Sequence, residues 1–206
     1  TFAALTTLAF DYPPRADLFR SELEELLLLA REENRSPLAY VGSYAGAIGL
    51  PQFLPSSKRR FALDVDGNGN IDLTSSRADA IGSVANYLAV HGWERGKPIA
   101  DTVSISGDGI QALIDEGIEP RRTPSEMASA NVHFGKVGAG NTAMKRSTGV
   151  EKLPNLPAAL IDLVTARGAT EYRLGYRNFY VITRYNRSSF YASAVMDLAA
   201  ALSKSK

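Results

Sequence analysis

The chain has 206 residues, enough for one domain of ordinary size with a substantial core, or for such a core carrying a small inserted lobe. Hydrophobic residues make up 45% and charged residues 22%, the composition of a soluble globular protein, and the formal net charge of +1 lacks the positive excess of a general nucleic-acid binder. There is no cysteine, which excludes disulfides, thiolate catalysis and zinc–thiolate sites, and no apolar run is long enough to span a membrane.

The first residues, Ala3-Ala4-Leu5 to Leu8-Ala9-Phe10, read as the tail of a helix and lack a cationic signal-peptide start. A chain that opens inside a helix suggests a segment ahead of Thr1. Pro13 and Pro14 break this helix. A second helix is expected from about Arg15 to Asn34. Leu18, Phe19, Leu23, Leu26, Leu27 and Ala30 form its apolar stripe, with Glu22, Glu24, Glu25, Glu32 and Glu33 mainly between them. Next comes GSYAGAIGLPQFLPSS, Gly42 to Ser57, which has no charge. It looks built to hold a ligand closely, yet it contains no acid, histidine or metal ligand. Short, tightly packed helices are expected there, because glycine permits close backbone approach.

Asp64 to Asp72 is a polar turn. A helix follows from Asp79 to His91, with Ile81, Val84, Ala85 and Leu88 on one face and Gly92 as its C-terminal cap. The texture changes at Lys97. Val103-Ser104-Ile105 alternates like a strand, and Thr123-Pro124-Ser125-Glu126 is a capping box with proline at the first helical position. Ala159 to Val164 and Thr170 to Tyr176 read as two strands, and a last helix runs from about Ser189 to Leu202. The expected fold class is α+β, mainly α. A helical core spans 1–96, an inserted α+β lobe 97–177, and the chain returns to the core over 178–206.

The strongest local motif is Asp64-Val65-Asp66-Gly67-Asn68-Gly69-Asn70-Ile71-Asp72. It fits the first half of an EF-hand calcium loop, with oxygen donors at the first, third and fifth positions, glycine at the sixth and an apolar residue at the eighth. Hard calcium needs six to eight oxygens, and alternate residues of a tight turn can aim them at one centre. Ser75 stands where the closing glutamate belongs, and Asp79 could supply that carboxylate from the next helix. A polar Asp/Asn/Gly turn without a metal is the other reading.

Tyr172 to Tyr191 is dense in aromatics. Strand packing explains part of this. Arg184-Tyr185-Asn186-Arg187, however, is a polar corner just before a helix, where ring faces beside amides suit sugars. Other motifs carry less. His91 and His133 have no metal spacing, Ser43 lacks the register of a nucleophile elbow, and Gly138-Ala139-Gly140 does not continue as a dinucleotide loop. Glu32-Glu33 is the best carboxylate pair near the glycine-rich stretch, although adjacent helical residues diverge, so only one can face a cleft.

Taken together, GSYAGAIGLPQFLPSS, the calcium-like loop, Asp79-Ala80-Ile81-Gly82-Ser83-Val84-Ala85-Asn86-Tyr87, His91-Gly92-Trp93 and Asn178-Phe179-Tyr180-Val181-Ile182-Thr183-Arg184-Tyr185-Asn186 resemble the membrane-bound lytic transglycosylase B family. The resemblance covers about residues 2 to 200 and is weakest across the Lys97 to Gly168 lobe. It implies a lysozyme-like helical core with a small inserted lobe and an EF-hand-like calcium site. The implied reaction is non-hydrolytic cleavage of peptidoglycan between N-acetylmuramic acid and N-acetylglucosamine, leaving an anhydromuramic end. Such enzymes are understood to use one glutamate, as acid to the leaving oxygen and then as base when the sugar's own 6-hydroxyl closes. By the match, Ser43 and Asn186 support the cleavage point, and Gln52, Tyr87, Tyr185 and Tyr191 line the sugar cleft. Asp64, Asp66, Asn68, Asn70 (through its carbonyl) and Asp79 hold a structural calcium, and no organic cofactor is implied. The catalytic glutamate sits in a Val-Glu-Thr/Ser-x-aromatic-Gly motif absent from these residues, so it is expected upstream of Thr1. The chain as it stands is then expected to be inactive.

The resemblance places a monomer on peptidoglycan glycan strands in the bacterial periplasm. Nucleic acid is not a partner, and any membrane attachment runs through a lipid anchor ahead of Thr1. Two alternatives remain: a calcium-braced peptidoglycan-binding protein without catalysis, and a hydrolytic lysozyme-like muramidase that uses Glu33.

Overall fold

The computed structural model describes residues 1–136 and 153–205, so Gly138-Ala139-Gly140 lies outside the described residues. The chain divides into two compact units, Thr1–Val90 and His91–Lys206.

The first unit is helical. Helix α1 (Phe2–Asp11) packs along α2 (Ala16–Glu32), separated by a 3-10 turn at Pro13–Arg15 where the two prolines stop the first helix. Leu5, Ala9, Phe19, Leu26, Leu29 and Ala30 are buried together with Tyr40 and Ile48. The stripe read from the sequence is therefore rotated. Leu18 and Leu27 face outward, while Leu29 and the acid Glu22 are buried. Glu22 turns inward because it has partners on α3 (Pro55–Phe61).

Helix α2 ends in a Schellman motif with Asn34, φ +48°, in the left-handed position usually held by glycine. Arg35 N–H bonds to Ala30 C=O at 2.8 Å and Asn34 N–H to Arg31 C=O at 3.2 Å. Helix α4 (Arg77–Val90) closes the unit, and Gly92 just beyond it has φ +93°. Its buried face is Asp79, Ala80, Ser83 and Tyr87, not the expected Ile81, Val84, Ala85 and Leu88; Ile81 is 71% exposed. The small residues let the chain come close, and Ser83 Oγ accepts the N–H of Leu63 at 2.9 Å. No helix forms between Gly42 and Leu54. The left-handed backbone of Gly46, Gly49 and Gln52 is incompatible with one.

The second unit holds an antiparallel sheet in the order β2-β1-β4-β3, formed by β1 (Ala100–Ser106), β2 (His133–Lys136), β3 (Ala159–Leu163) and β4 (Glu171–Gly175). Strand β3 alternates as a doubly covered strand should. Leu160 packs with Val103, Leu113, Met127 and Leu174, whereas Ala159, Ile161 and Leu163 pack with Phe179, Ile182 and Ala192 on the other face. Helices α5 (Ile110–Asp115) and α6 (Pro124–Ser129) cover the first face, and α7 (Arg177–Tyr185) and α8 (Ser189–Lys204) the second. The capping box at Thr123 forms as read: its Oγ1 accepts the N–H of Glu126, and Glu126 reaches back to the N–H of Thr123 at 2.7 Å.

Helix α7 is not visible in the sequence pattern, where Tyr, Phe, Val, Ile and Thr favour a strand. Tertiary contacts decide it. Asn178, fully buried, donates to the carbonyls of Glu94 and Lys97 and accepts the N–H of Glu94 at 2.8 Å, which fixes the first turn beside the 94–97 loop.

Candidate functional site

The glycine-rich segment is a loop closed on itself. Gly42 and Phe53 each bridge to Ile48, with Ile48 N–H to Phe53 C=O at 2.7 Å and Phe53 N–H to Ile48 C=O at 3.1 Å. At Gly49, φ +69°, an added Cβ would run into the carbonyl of Leu73, to which Leu50 N–H bonds at 2.8 Å. The loop is thus pressed against the segment that follows the polar turn.

Ser43 sits at the neck of this loop. Its Oγ accepts the N–H groups of Ala45 at 3.3 Å and Ala47 at 3.1 Å. Two backbone donors fill the acceptor side of the hydroxyl and leave its proton to be given outward. Gln52 has φ +54°, a conformation that a non-glycine residue holds only under constraint, and its Nε2 donates to Gly49 C=O at 2.9 Å. Gln52 is exposed and lines a cavity of about 900 Å³ together with Glu33, Tyr40, Lys58 and Asn70. Ser43 and Tyr87 are not on its walls. Tyr87 is 8% exposed and packs edge-on against Phe61, with ring centres 4.9 Å apart, and against Phe53.

Glu33, the carboxylate weighed as an acid, is occupied. Lys58 Nζ lies 2.6 Å from its Oε1, and the Tyr40 hydroxyl donates to its Oε2 at 2.7 Å. Burial, and then this carboxylate, holds the Tyr40 phenol well above its ordinary range. Glu32 bonds twice to Arg59, whose guanidinium holds that carboxyl below the ordinary range. Both acids are tied down by cations.

In the polar turn, carboxylate oxygens of Asp64, Asp66 and Asp79 lie within 4.8 Å of one another. Asp64 Oδ1 and Oδ2 accept the N–H groups of Gly67 at 2.8 Å and Gly69 at 2.7 Å, which curls the turn around its first residue. Asp79 is fully buried at the start of α4. Its Oδ2 accepts Asp72 N–H at 2.9 Å and its Oδ1 accepts Val65 N–H at 2.8 Å, and these donors hold its carboxyl below the ordinary range. Asn68 Oδ1 accepts Asn70 N–H at 2.8 Å. Three carboxylates of like charge at this spacing form a donor set that fits a hard divalent cation.

In the second unit, Tyr185 and Tyr191 present parallel rings, 6.5 Å between centres and 3° between planes. The corner between α7 and α8 makes this possible. Asn186 caps α7 and is exposed, and Ser188 Oγ accepts the Tyr191 N–H at 3.2 Å to start α8. The sequence reading missed the buried Asn178 as an organising residue, although its side-chain type in an otherwise apolar run was the available signal.

The transglycosylase SLT domain model matches residues 1–200. The membrane-bound lytic murein transglycosylase B of Escherichia coli (strain K12) is 39% identical over 199 residues, which are 97% of this chain and 50% of that protein. The crystal structure of the soluble lytic transglycosylase SltB1 from Pseudomonas aeruginosa superposes with a TM-score of 0.80 at 42% identity, covering 98% of this chain and 62% of that one. The Escherichia coli lytic transglycosylase Slt35 in complex with calcium superposes with a TM-score of 0.74 at 38% identity, covering 98% and 59%. The chain thus spans about half the length of the curated relative it matches, and its mainly helical fold with a small antiparallel sheet is that of the lysozyme-like lytic transglycosylase structures. The chain belongs to the transglycosylase SLT domain family.

Proposed function

We propose that the protein containing this chain is a peptidoglycan lytic transglycosylase of the bacterial periplasm. It cleaves between N-acetylmuramic acid and N-acetylglucosamine. The observation that carries this reading is the match over residues 1–200 to a transglycosylase domain. The C1–oxygen bond of the muramic acid breaks as a glutamic acid protonates the leaving oxygen. The sugar's 6-hydroxyl then bonds to C1 while the glutamate takes its proton, and no water is consumed. The glutamate is one other than Glu33. The ion pair and hydrogen bond that engage Glu33 favour this over a muramidase using Glu33.

Within the chain, Ser43 offers its hydroxyl proton to the N-acetyl carbonyl, and Gln52 presents its amide to the sugar from a backbone held at positive φ. In the second unit, taken by itself, Asn186 offers an exposed amide, and Tyr185 and Tyr191 offer ring faces to sugar C–H groups. Tyr87, buried against Phe53 and Phe61, acts as packing for the loop. A structural calcium held by Asp64, Asp66, Asn68, the Asn70 carbonyl and Asp79 braces the turn against which the loop packs; the carboxylate cluster supports this. Among the described residues no helix is long and apolar enough to cross a membrane.

Mass spectrometry of muropeptides released from purified peptidoglycan by the full-length protein tests the reading. Anhydromuramic ends are expected. Predominantly hydrated ends would replace the lytic assignment with a hydrolytic one, and binding without release would favour the non-catalytic alternative.

A further inference from the structure

The carboxylate of Glu33 bonds at once to both ends of the glycine-rich loop. Its Oε2 takes the hydroxyl of Tyr40, which enters the loop, and its Oε1 takes the ammonium of Lys58, which leaves it. Lys58 is 7% exposed, and its ammonium lies 5.5 Å from the centre of the Tyr40 ring, so the two ends also touch each other. The Arg35 guanidinium also lies over this ring, 4.7 Å from its centre. Inside the loop, Ser43 N–H bonds to Ala47 C=O, Gly46 N–H to Ser43 C=O and Gln52 N–H to Gly49 C=O, Ile48 pairs with Phe53, and Ser43 Oγ takes the N–H groups of Ala45 and Ala47. A loop with left-handed residues at three positions has little intrinsic preference for its shape, and fixing its ends restricts what the interior can do.

We infer that Glu33 is a positioning residue: it clasps Tyr40 to Lys58 and thereby sets where the loop between them presents Ser43 and Gln52. The inference rests on the proposed role of those two residues in glycan cleavage. It also reassigns a carboxylate in a cleft from acid to tether. A displacement of about 1 Å in a polar contact is enough to lower turnover about a hundredfold, so a clasp at the neck matters to chemistry it never touches.

The test uses the full-length protein with Glu33→Gln, Tyr40→Phe, Lys58→Met and the Tyr40→Phe/Lys58→Met double variant. Two readouts apply: hydrogen exchange resolved over the loop, and kcat and KM for muropeptide release. The expected result is faster exchange at Ser43, Gly46, Ile48 and Phe53 with α4 unchanged, and a kcat lowered about 10–100-fold with a much smaller change in KM. The double variant should reproduce the Glu33→Gln effect, and the charge-swapped Glu33→Lys/Lys58→Glu pair should restore protection. Unchanged loop exchange in Glu33→Gln overturns the clasp. So does a Glu33→Gln protein with no turnover beside a double variant with wild-type kcat, since Glu33 would then be the acid. If Glu33→Gln does not fold, Tyr40→Phe, which removes a single hydroxyl, carries the same comparison. A wild-type protein that releases no anhydro ends would defeat the functional reading, while the exchange data would still decide the clasp.

Discussion

Glu22 and Ser56 are joined across 34 residues of chain by two bonds to one carboxylate: Oε2 accepts the Ser56 N–H at 3.0 Å and Oε1 its hydroxyl at 2.6 Å. A buried acid on α2 therefore satisfies the first turn of α3, where the N-cap residue Leu54 makes no side-chain cap bond. Glu25 and Glu32 extend the same face through Arg59. Three acids of one helix thus receive the donors of the next.

Replacing Glu22 with alanine leaves the Ser56 N–H without its acceptor in a half-buried setting and should cost about 1–3 kcal/mol. Glu22→Gln, which keeps an acceptor, should cost less. Urea unfolding measures both, and equal losses would show that volume rather than hydrogen bonding matters there.

Gly49→Ala should destabilise by roughly 1–3 kcal/mol, because φ is +69° and the new Cβ meets the Leu73 carbonyl. Gly67→Ala also sits at positive φ but in open space, so it should cost less. Melting temperatures in the same buffer check the ranking.

Asn178→Ala removes a fully buried amide that serves three backbone groups of the 94–97 loop and should cost about 2–4 kcal/mol. Exchange protection should fall around Glu94 and in α7. A uniform loss confined to α8 would contradict the role given to this side chain.

Calcium should raise the melting temperature, with stabilisation of about 2.7 kcal/mol at a hundredfold excess over Kd. Asp64→Asn and Asp66→Asn should each weaken that response. Identical melting with calcium and with chelator would argue against a bound metal.

In metal-stripped protein the same turn should respond to acid. The carboxyls of Asp79 and Asp72 are held low in the fold by backbone N–H groups, of Asp72 and Val65 for the first and of Ser75 and Thr74 for the second. A carboxyl depressed on folding contributes stability that is complete above its unfolded pKa of about 3.9 and is lost as pH falls through the folded value. Unfolding free energy should therefore drop below about pH 5, and Asp79→Asn should flatten that drop. Parallel acid profiles would remove Asp79 from the account.

Much of the second unit was legible because its signals are local. The Thr123 capping box, the strands near Ala159 and Glu171 and the last helix each follow from neighbours a few residues apart. Helix α7 was not legible, since its residues prefer strands and only Asn178 and the sheet face hold them otherwise. Likewise α4 shows an apolar face in the sequence but buries Asp79, Ala80, Ser83 and Tyr87, because Asp79 and Ser83 take backbone N–H groups from distant residues and Tyr87 packs against Phe53 and Phe61.

By itself, the sequence determined the family and the residue types of the candidate site: the Asp/Asn/Gly turn, the glycine-rich stretch with Ser43 and Gln52, and the polar corner at Asn186. Those are patterns of spacing, which a linear chain carries in full. Only the tertiary structure decided that the glycine-rich stretch is a loop rather than a set of helices, that Asp79 is buried among backbone donors, and that Glu33 is held by Lys58 and Tyr40. A carboxylate's chemistry depends on what stands within about 3 Å of it, and folding brings partners to that distance from 7 and 25 residues away.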